Sequence, residues 1–520
     1  MNLKDLQLYL PDDQTIKDSL ISTSRTKLRQ ELEGLPYGNM LHALDQVTQK
    51  LMLINKTEIP NKTRFEMLEC FLPSFQLFFD HLNTTEKRSI SSSDLQATDK
   101  LAQFVYELSI GYKLALVTFS ESNLFKSNKL VERVYCAMSL VSLNLVLEFR
   151  QHKEHTGPHW RDLNQLFAFA RSRRLLGQPI EFESPLPLAD TIDGIYLQIC
   201  IMAVSDPYQL LPEQILQTWY YLAENSTAAV ITELEPHSAP DSGFVINLAD
   251  DNKPQSFRWF DQASELSSIN LDRLNGRVEQ NLAQLKTDPT AFIPGLGNHP
   301  PEFKQELLNQ LKRTWLQTSQ RIEERVETQK TITMVYGIRD IHYLASHSSE
   351  LLKDIHQHLG DQIIGNVMDE STSGACVLLE NLPKHNLEPG QLVLLFETLN
   401  GRVQIPKLAS VRWNTLDQSG KNIQLGVKYI PGQIYAFLIK SRDKVTVDTY
   451  PRKGLLLQTT PDDSSGWQVI TAPGLYKKDR KLGLLFNGHP DDQPAVAHDI
   501  LANSKHIQQF TIEILSVEQP

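Results

Sequence analysis

The sequence contains no GxxxxGK phosphate loop, no GxGxxG, no GxSxG nucleophile elbow and no HExxH pair. Each of these motifs is short because one turn of backbone must present a nucleophile, a phosphate cradle or two metal ligands. Their absence argues against the corresponding hydrolase, nucleotide-transfer and metalloprotease chemistries, so the chain is not expected to be an enzyme. Cysteine is scarce. Cys70, Cys136, Cys200 and Cys376 are the four in 520 residues, they form no CxxC, and buried free thiols are expected rather than a disulfide or zinc framework. The strongest apolar run noted, Tyr196 to Val204, is too short to span a bilayer, and the start Met1-Asn-Leu-Lys-Asp-Leu6 has no signal-type apolar stretch. A cytoplasmic protein without membrane insertion is expected. Excess positive charge is missing too. Lys and Arg number 51 against 62 Asp and Glu, a net charge of −11, which argues against binding a nucleic-acid polymer or an anionic membrane.

The hydrophobic share of 41% and charged share of 22% are ordinary for globular chains, and the length predicts about three or four domains. Residues 1–225 read as a helical bundle or irregular solenoid. Leu101, Phe104, Val105, Leu108, Tyr112 and Leu116 recur at helical spacing behind the cap candidates Ser93 and Asp94. Leu130 to Phe149 is apolar on nearly every side and predicts a central buried helix. Helices are also expected from Ile192 to Val204, with Asp190 as cap, and from Pro212 to Ala223. No fixed-length repeat is evident.

Residues 226–300 read as a small β insertion plus a helix, with strands at Ala229–Leu234, Gly243–Leu248 and Gln255–Phe260, ending in the Pro/Gly-rich stretch Ile293 to Pro301 as a candidate hinge. Residues 301–440 begin with a lead helix striped by Phe303, Leu307, Leu308, Leu311 and Trp315, a stripe that Ile322 and Val326 continue. Residues 441–520 read as a further β module, with strands at Lys444–Val447, Leu455–Gln458, Trp467–Ile470, Lys481–Phe486 and Ile507–Leu515. The fold class expected is therefore multidomain α+β.

Four pieces between Arg321 and Val427 stand in one order: Arg321-Ile-Glu-Glu-Arg325, Asp369-Glu-Ser371-Thr-Ser-Gly374, Ser410-Val-Arg-Trp413 and Leu425-Gly-Val427. That series resembles a PilZ domain, the small antiparallel β-barrel that receives cyclic di-GMP in bacteria. The resemblance implies a ligand-binding set of Arg321, Arg325, Asp369, Ser371 and Gly374, with no cofactor besides the messenger. The chemistry is consistent. Arginine's planar fork donates in pairs to phosphate or to guanine O6 and N7 and stacks on flat rings. A carboxylate such as Asp369 accepts from guanine N1 and N2. Ser371 adds a small hydroxyl, and Gly374 permits a positive φ or a close approach of backbone.

RxxxR alone discriminates little, since Arg25-Thr-Lys-Leu-Arg29 also fits it. The chain departs from the family pattern in two places. The gap from Arg325 to Asp369 is long, with an amphipathic helix expected between His342 and Gly360, and the two arginines fall on the continuation of a helical stripe. On such a helix end they can instead pair with Glu324 or Glu327. Residues 321–440 carry 12 Lys/Arg against 13 Asp/Glu, so the rest of the chain holds nearly all the negative charge.

His342, His347, His356 and His358 read as solvated rather than metal-binding, since i and i+2 point to different helix faces. His489, Asp491, Asp492, His498 and Asp499 read as a solvated turn, and Trp315 and Trp413 as core. Two functions stay open. One is a cytoplasmic cyclic di-GMP receptor that passes its signal to an unidentified protein partner through the helical region, in motility, attachment or exopolysaccharide control. The other is a PilZ-like scaffold without ligand that acts as an interaction module.

Overall fold

The computed structural model describes the chain apart from residues 1, 11–23, 86–91, 120–126, 155–156, 183, 235–242, 257–265, 317–323, 347–362, 381–386, 400–401, 404–405, 418–420, 444–449, 459–466, 487–490 and 516–520. The chain divides into two compact units, Met1–Gln320 and Arg321–Pro520.

The first unit begins with helices α1 (Arg25–Glu33), α2 (Met40–Asn55), α3 (Asn61–Leu68), α4 (Leu72–Thr85), α5 (Ser92–Val117), α6 (Ser127–Arg150), α7 (His159–Ser172), α8 (Ile192–Val204) and α9 (Pro212–Asn225). Helix α6 is the central one, with Val134, Met138, Val141 and Leu145 all fully enclosed. By length and composition residues 128–150 pass as a membrane span, yet 89% of that window is buried inside the unit, so this apolar stretch is core. The cap of α8 is Thr191, whose Oγ1 accepts from the Gly194 amide, not Asp190. Lys113 and Asp162 form a fully buried ion pair at 2.6 Å, and the second carboxylate oxygen accepts from the Tyr9 amide, which ties the N-terminal segment to the bundle.

A four-stranded antiparallel sheet follows, ordered β1 (Val230–Glu233), β4 (Leu266–Asn270), β2 (Phe244–Asn247), β3 (Gln255–Ser256). The strand at 266–270 is an addition to the sequence reading, hidden because Ser267 and Ser268 dilute its apolar signal. Helices α10 (Asp272–Thr287) and α11 (Pro301–Leu316) complete the unit. Two expectations change here. The Pro/Gly stretch is not a free hinge: Ile293 and Leu296 are fully buried, and Gly295, at φ +80°, lies so close to α9 that a Cβ would stand 2.5 Å from the Tyr221 Cα. The lead helix α11 belongs to this unit, because Leu307, Leu308 and Leu311 join the helical core and the Trp315 indole donates to Ser205 Oγ at 3.0 Å.

The second unit holds two closed six-stranded antiparallel barrels. The first comprises β5 (Val326–Tyr336), β6 (Ile363–Glu370), β7 (Gly374–Glu380), β8 (Leu392–Leu399), β10 (Lys407–Leu416) and β11 (Asn422–Tyr429), with the short β9 (Arg402–Val403) attached to β8. Helix α12 (Ile338–Ala345) leaves directly from β5. It overlaps the start of the helix expected at 342–360, whose residues 347–360 lie outside the described residues.

The second barrel comprises β12 (Gln433–Ser441), β13 (Arg452–Gln458), β14 (Trp467–Thr471), β15 (Lys481–Leu485), β16 (Gln493–Asn503) and β17 (Gln508–Ile514). It starts within the segment expected to end the first barrel. The expected solvated turn is in part a strand: His498 and Asp499 sit on β16, and Asp492 pairs with Lys440 and Arg442, while His489 lies outside the described residues. The strand expected at Lys444–Val447 also lies outside them. All four cysteines are buried and free.

Candidate functional site

Arg325 immediately precedes β5, in neither helix nor strand, and Arg321 lies outside the described residues. The Arg325 Nη1 donates to Asp369 Oδ1 at 2.6 Å, with both side chains about 30% exposed. It therefore pairs with the loop carboxylate rather than with Glu324 or Glu327. Arg25, in the decoy motif, sits on α1 and pairs with Glu69 at 3.2 Å.

Register explains which way Asp369 faces. Residues directly opposite in an antiparallel ladder share a face. Glu370, Ala375, Val427 and Val411 form one such row, and the last three belong to the barrel core. One step along, Asp369, Cys376, Gly426 and Trp413 form the next row, which therefore lies on the outside. The half-buried Trp413 was expected in the core. The ladder slips between Val411 and Trp413, so Arg412 is an extra residue that turns the indole outward, across Gly426. A Cβ on Gly426 would stand 2.0 Å from the indole nitrogen. The Cys376 thiol is pushed up by burial and by the Asp369 charge, with Arg325 opposing.

The loop is stitched tightly. The Ser371 amide donates to the Gly374 carbonyl at 2.8 Å, its Oγ approaches the same oxygen at 3.3 Å, and the Tyr429 amide donates to the Ser373 carbonyl at 2.8 Å. Gly374 has no positive φ. Its need for glycine is the neighbouring strand, since a Cβ would lie 2.2 Å from the Val427 carbonyl oxygen. Opposite Gly374 on the outer face stands the exposed Lys428.

A second polar layer, missed in the sequence, sits inside the barrel mouth. Glu370 accepts from Lys407 at 2.5 Å, from the Tyr429 hydroxyl at 2.7 Å and from Lys330 at 3.1 Å. Lys330 also lies 3.6 Å from Glu397, and the Lys407 ammonium stands 4.8 Å from the centroid of the Tyr429 ring. Burial alone would raise the Glu370 carboxyl, but the bonds from Lys407, Tyr429 and Lys330 outweigh it and bring it down to about 2. Period-2 alternation would have pointed to these inward positions, but their charge disguised them as surface. Among the described residues no cluster of three His, Cys, Asp or Glu could hold a metal ion. Of the expected histidine group only His342 is described, and its Nε2 donates to the Phe437 carbonyl at 3.0 Å.

The arrangement offers an outward carboxylate, a guanidinium that can exchange partners, an aromatic face and a floor of small residues, features suited to a flat, anionic ligand with donor and acceptor edges. No curated protein matches the chain. Two family models do. Residues 26–237 match the N-terminal domain of the cyclic-di-GMP receptor FimW, and residues 243–363 match that receptor's middle PilZ domain. The second match takes in Arg321, Arg325, β5 and α12 and ends as β6 begins, so Asp369, Ser371 and Gly374 lie beyond it. Neither model indicates a catalytic domain. Adjoining one another and drawn from the same receptor, the two place the chain in the FimW family of cyclic-di-GMP receptors.

Proposed function

We propose that cyclic di-GMP binds on the outer face of the first barrel, held by Arg321, Arg325, Asp369, Ser371 and the backbone at Gly374. The observation that carries this reading is the meeting of Arg325 and Asp369 on an open face, 44 residues apart in sequence. In the free protein each neutralises the other. On binding, Arg325 turns to a phosphate or to guanine O6 and N7, which frees Asp369 to accept from guanine N1 and N2. A half-exposed ion pair is worth at most about 1 kcal/mol, whereas each charge-assisted bond to the ligand contributes about 1.5–3 kcal/mol, so the exchange is favourable. Trp413 offers an indole face on which a guanine can stack.

The output is protein contact rather than chemistry, in the cytoplasm, with no membrane insertion and no nucleic-acid polymer as ligand. The chain passes from one compact unit to the other at Arg321, so fixing Arg321 and Arg325 on a ligand constrains that crossing. A protein partner of the helical region would then sense the constraint, in control of motility, attachment or exopolysaccharide. The shift achieved equals the ligand's differential affinity for the two arrangements.

Calorimetric titration with cyclic di-GMP, beside the Arg321→Ala/Arg325→Ala double variant, tests the reading. Saturable binding at micromolar concentration or below that the double variant loses is expected. Absence of heat together with no displacement of a labelled dinucleotide would leave the ligand-free scaffold as the function.

A further inference from the structure

The two barrels share one topology. Counting strands along the chain within each barrel and leaving out the two-residue β9, the first closes as 1-2-3-6-5-4 and so does the second. In both, the fifth strand is irregular where it pairs with the sixth, at Val411/Trp413 in one and between Ala497 and Ala502 in the other. A shared non-sequential order plus a shared bulge position is difficult to reach by separate routes.

Superposing the ladders strand for strand gives residue equivalents. Next to the connection between strands two and three, the inward pair is Glu370 and Ala375 in the first barrel and Gln458 and Trp467 in the second. The outward row is Asp369, Cys376 and Gly426 in the first, and Leu457, Gln468 and Thr511 in the second. Where the first barrel turns a carboxylate to solvent, the second turns a leucine that is fully buried. Leu457 joins a core made with Ile341 and Leu344 of α12 and Phe396 of β8. Helix α12 also fastens by the His342–Phe437 bond, and across the same junction Glu388 holds Lys505 at 2.5 Å and His506 at 2.9 Å. The residues leading into β12, Ile430-Pro431-Gly432, contain no arginine. The connection 459–466, outside the described residues, carries Asp462, Ser464 and Gly466 in sequence, one residue short of the Asp369-Ser371-Gly374 spacing.

We propose that the C-terminal barrel is an internal repeat of the receptor barrel in which the nucleotide-facing row has become the seat of α12, making the second barrel a fixed protein partner of the first that takes no cyclic dinucleotide. The nucleotide half of this proposal rests on the receptor reading; the docking half does not.

Two measurements on the full chain test the halves separately. Photo-crosslinking with an azido derivative of cyclic di-GMP, followed by peptide mapping, is expected to label only peptides between 321 and 430. Label within 433–514 that excess unmodified ligand removes would overturn the nucleotide half, and no competable label anywhere would count against the receptor reading instead. Hydrogen exchange of Leu344→Asp, with the milder Ile338→Ala in case the first fails to fold, is expected to speed exchange about tenfold or more at Leu455–Leu457 as well as in α12. Acceleration confined to α12 would overturn the docking half.

Discussion

The Arg325 guanidinium and the Asp369 carboxylate meet at 2.6 Å on the outside of the first barrel, each about 30% exposed. A contact so placed contributes little to folding and is available for exchange. Arg325→Ala and Asp369→Ala should each lower stability by no more than about 1 kcal/mol and weaken cyclic di-GMP binding by about 10–100-fold. Thermal melts and calorimetry on the same samples check both. Equal affinity in Arg325→Ala and in the Arg29→Ala control would place the site elsewhere.

Gly374→Ala should destabilise the second unit by about 1–3 kcal/mol, because the new methyl must push away the Val427 carbonyl 2.2 Å distant. Gly276→Ala is the contrast. That glycine lies within α10 with nothing inside 4 Å of a built Cβ, so alanine should stabilise by about 0.5–1 kcal/mol. Denaturant titration of both variants settles the comparison.

Glu370 makes stability depend on acid. Its carboxyl, ordinarily at 4.5, lies at about 2 in the fold. Between those values the unfolded chain binds more protons than the native one, so the contribution is fully present above about pH 4.5 and is lost as pH falls toward about 2. Glu370→Gln should therefore be less stable than the parent at pH 7, with the gap shrinking through that window. A gap that stays constant from pH 6 to pH 3 would show that the three donors do not hold a carboxylate.

Lys428 faces outward opposite Gly374, and among the described residues it has no carboxylate partner, whereas Lys330, Lys407 and Arg325 all do. It is a further cation placed to meet a dianionic ligand. Lys428→Glu should weaken cyclic di-GMP binding by about tenfold at low salt and flatten its salt dependence, with little change in melting temperature. Unchanged affinity at low salt would remove Lys428 from the site.

What the sequence by itself determined was local. The period of 3.6 marked α5, α6, α8 and α9, and Pro at the start of α9 marked its first turn. The spacing of Asp369, Ser371 and Gly374 drew attention to a loop that the structure shows as a tight strand connection. Such signals survive in one dimension because helix faces and turns are built from residues a few positions apart.

The face on which each residue lies was decided by tertiary structure. Trp413 was assigned to the core because alternation carried straight through Arg412, and a single extra residue in the ladder reverses it. Strand β16 escaped notice because its pairing is broken twice and Pro494 and His498-Asp499 interrupt its apolar residues. The inward charges Lys330, Glu370 and Lys407 are legible only once three strands bring them together. Gly295 resembled a hinge until the backbone of α9 closed over it. Register and strand order are long-range choices, set by which apolar faces bury one another, and they put Asp369 on the outer row of one barrel and packed Leu457, on the corresponding row of the other, against a helix.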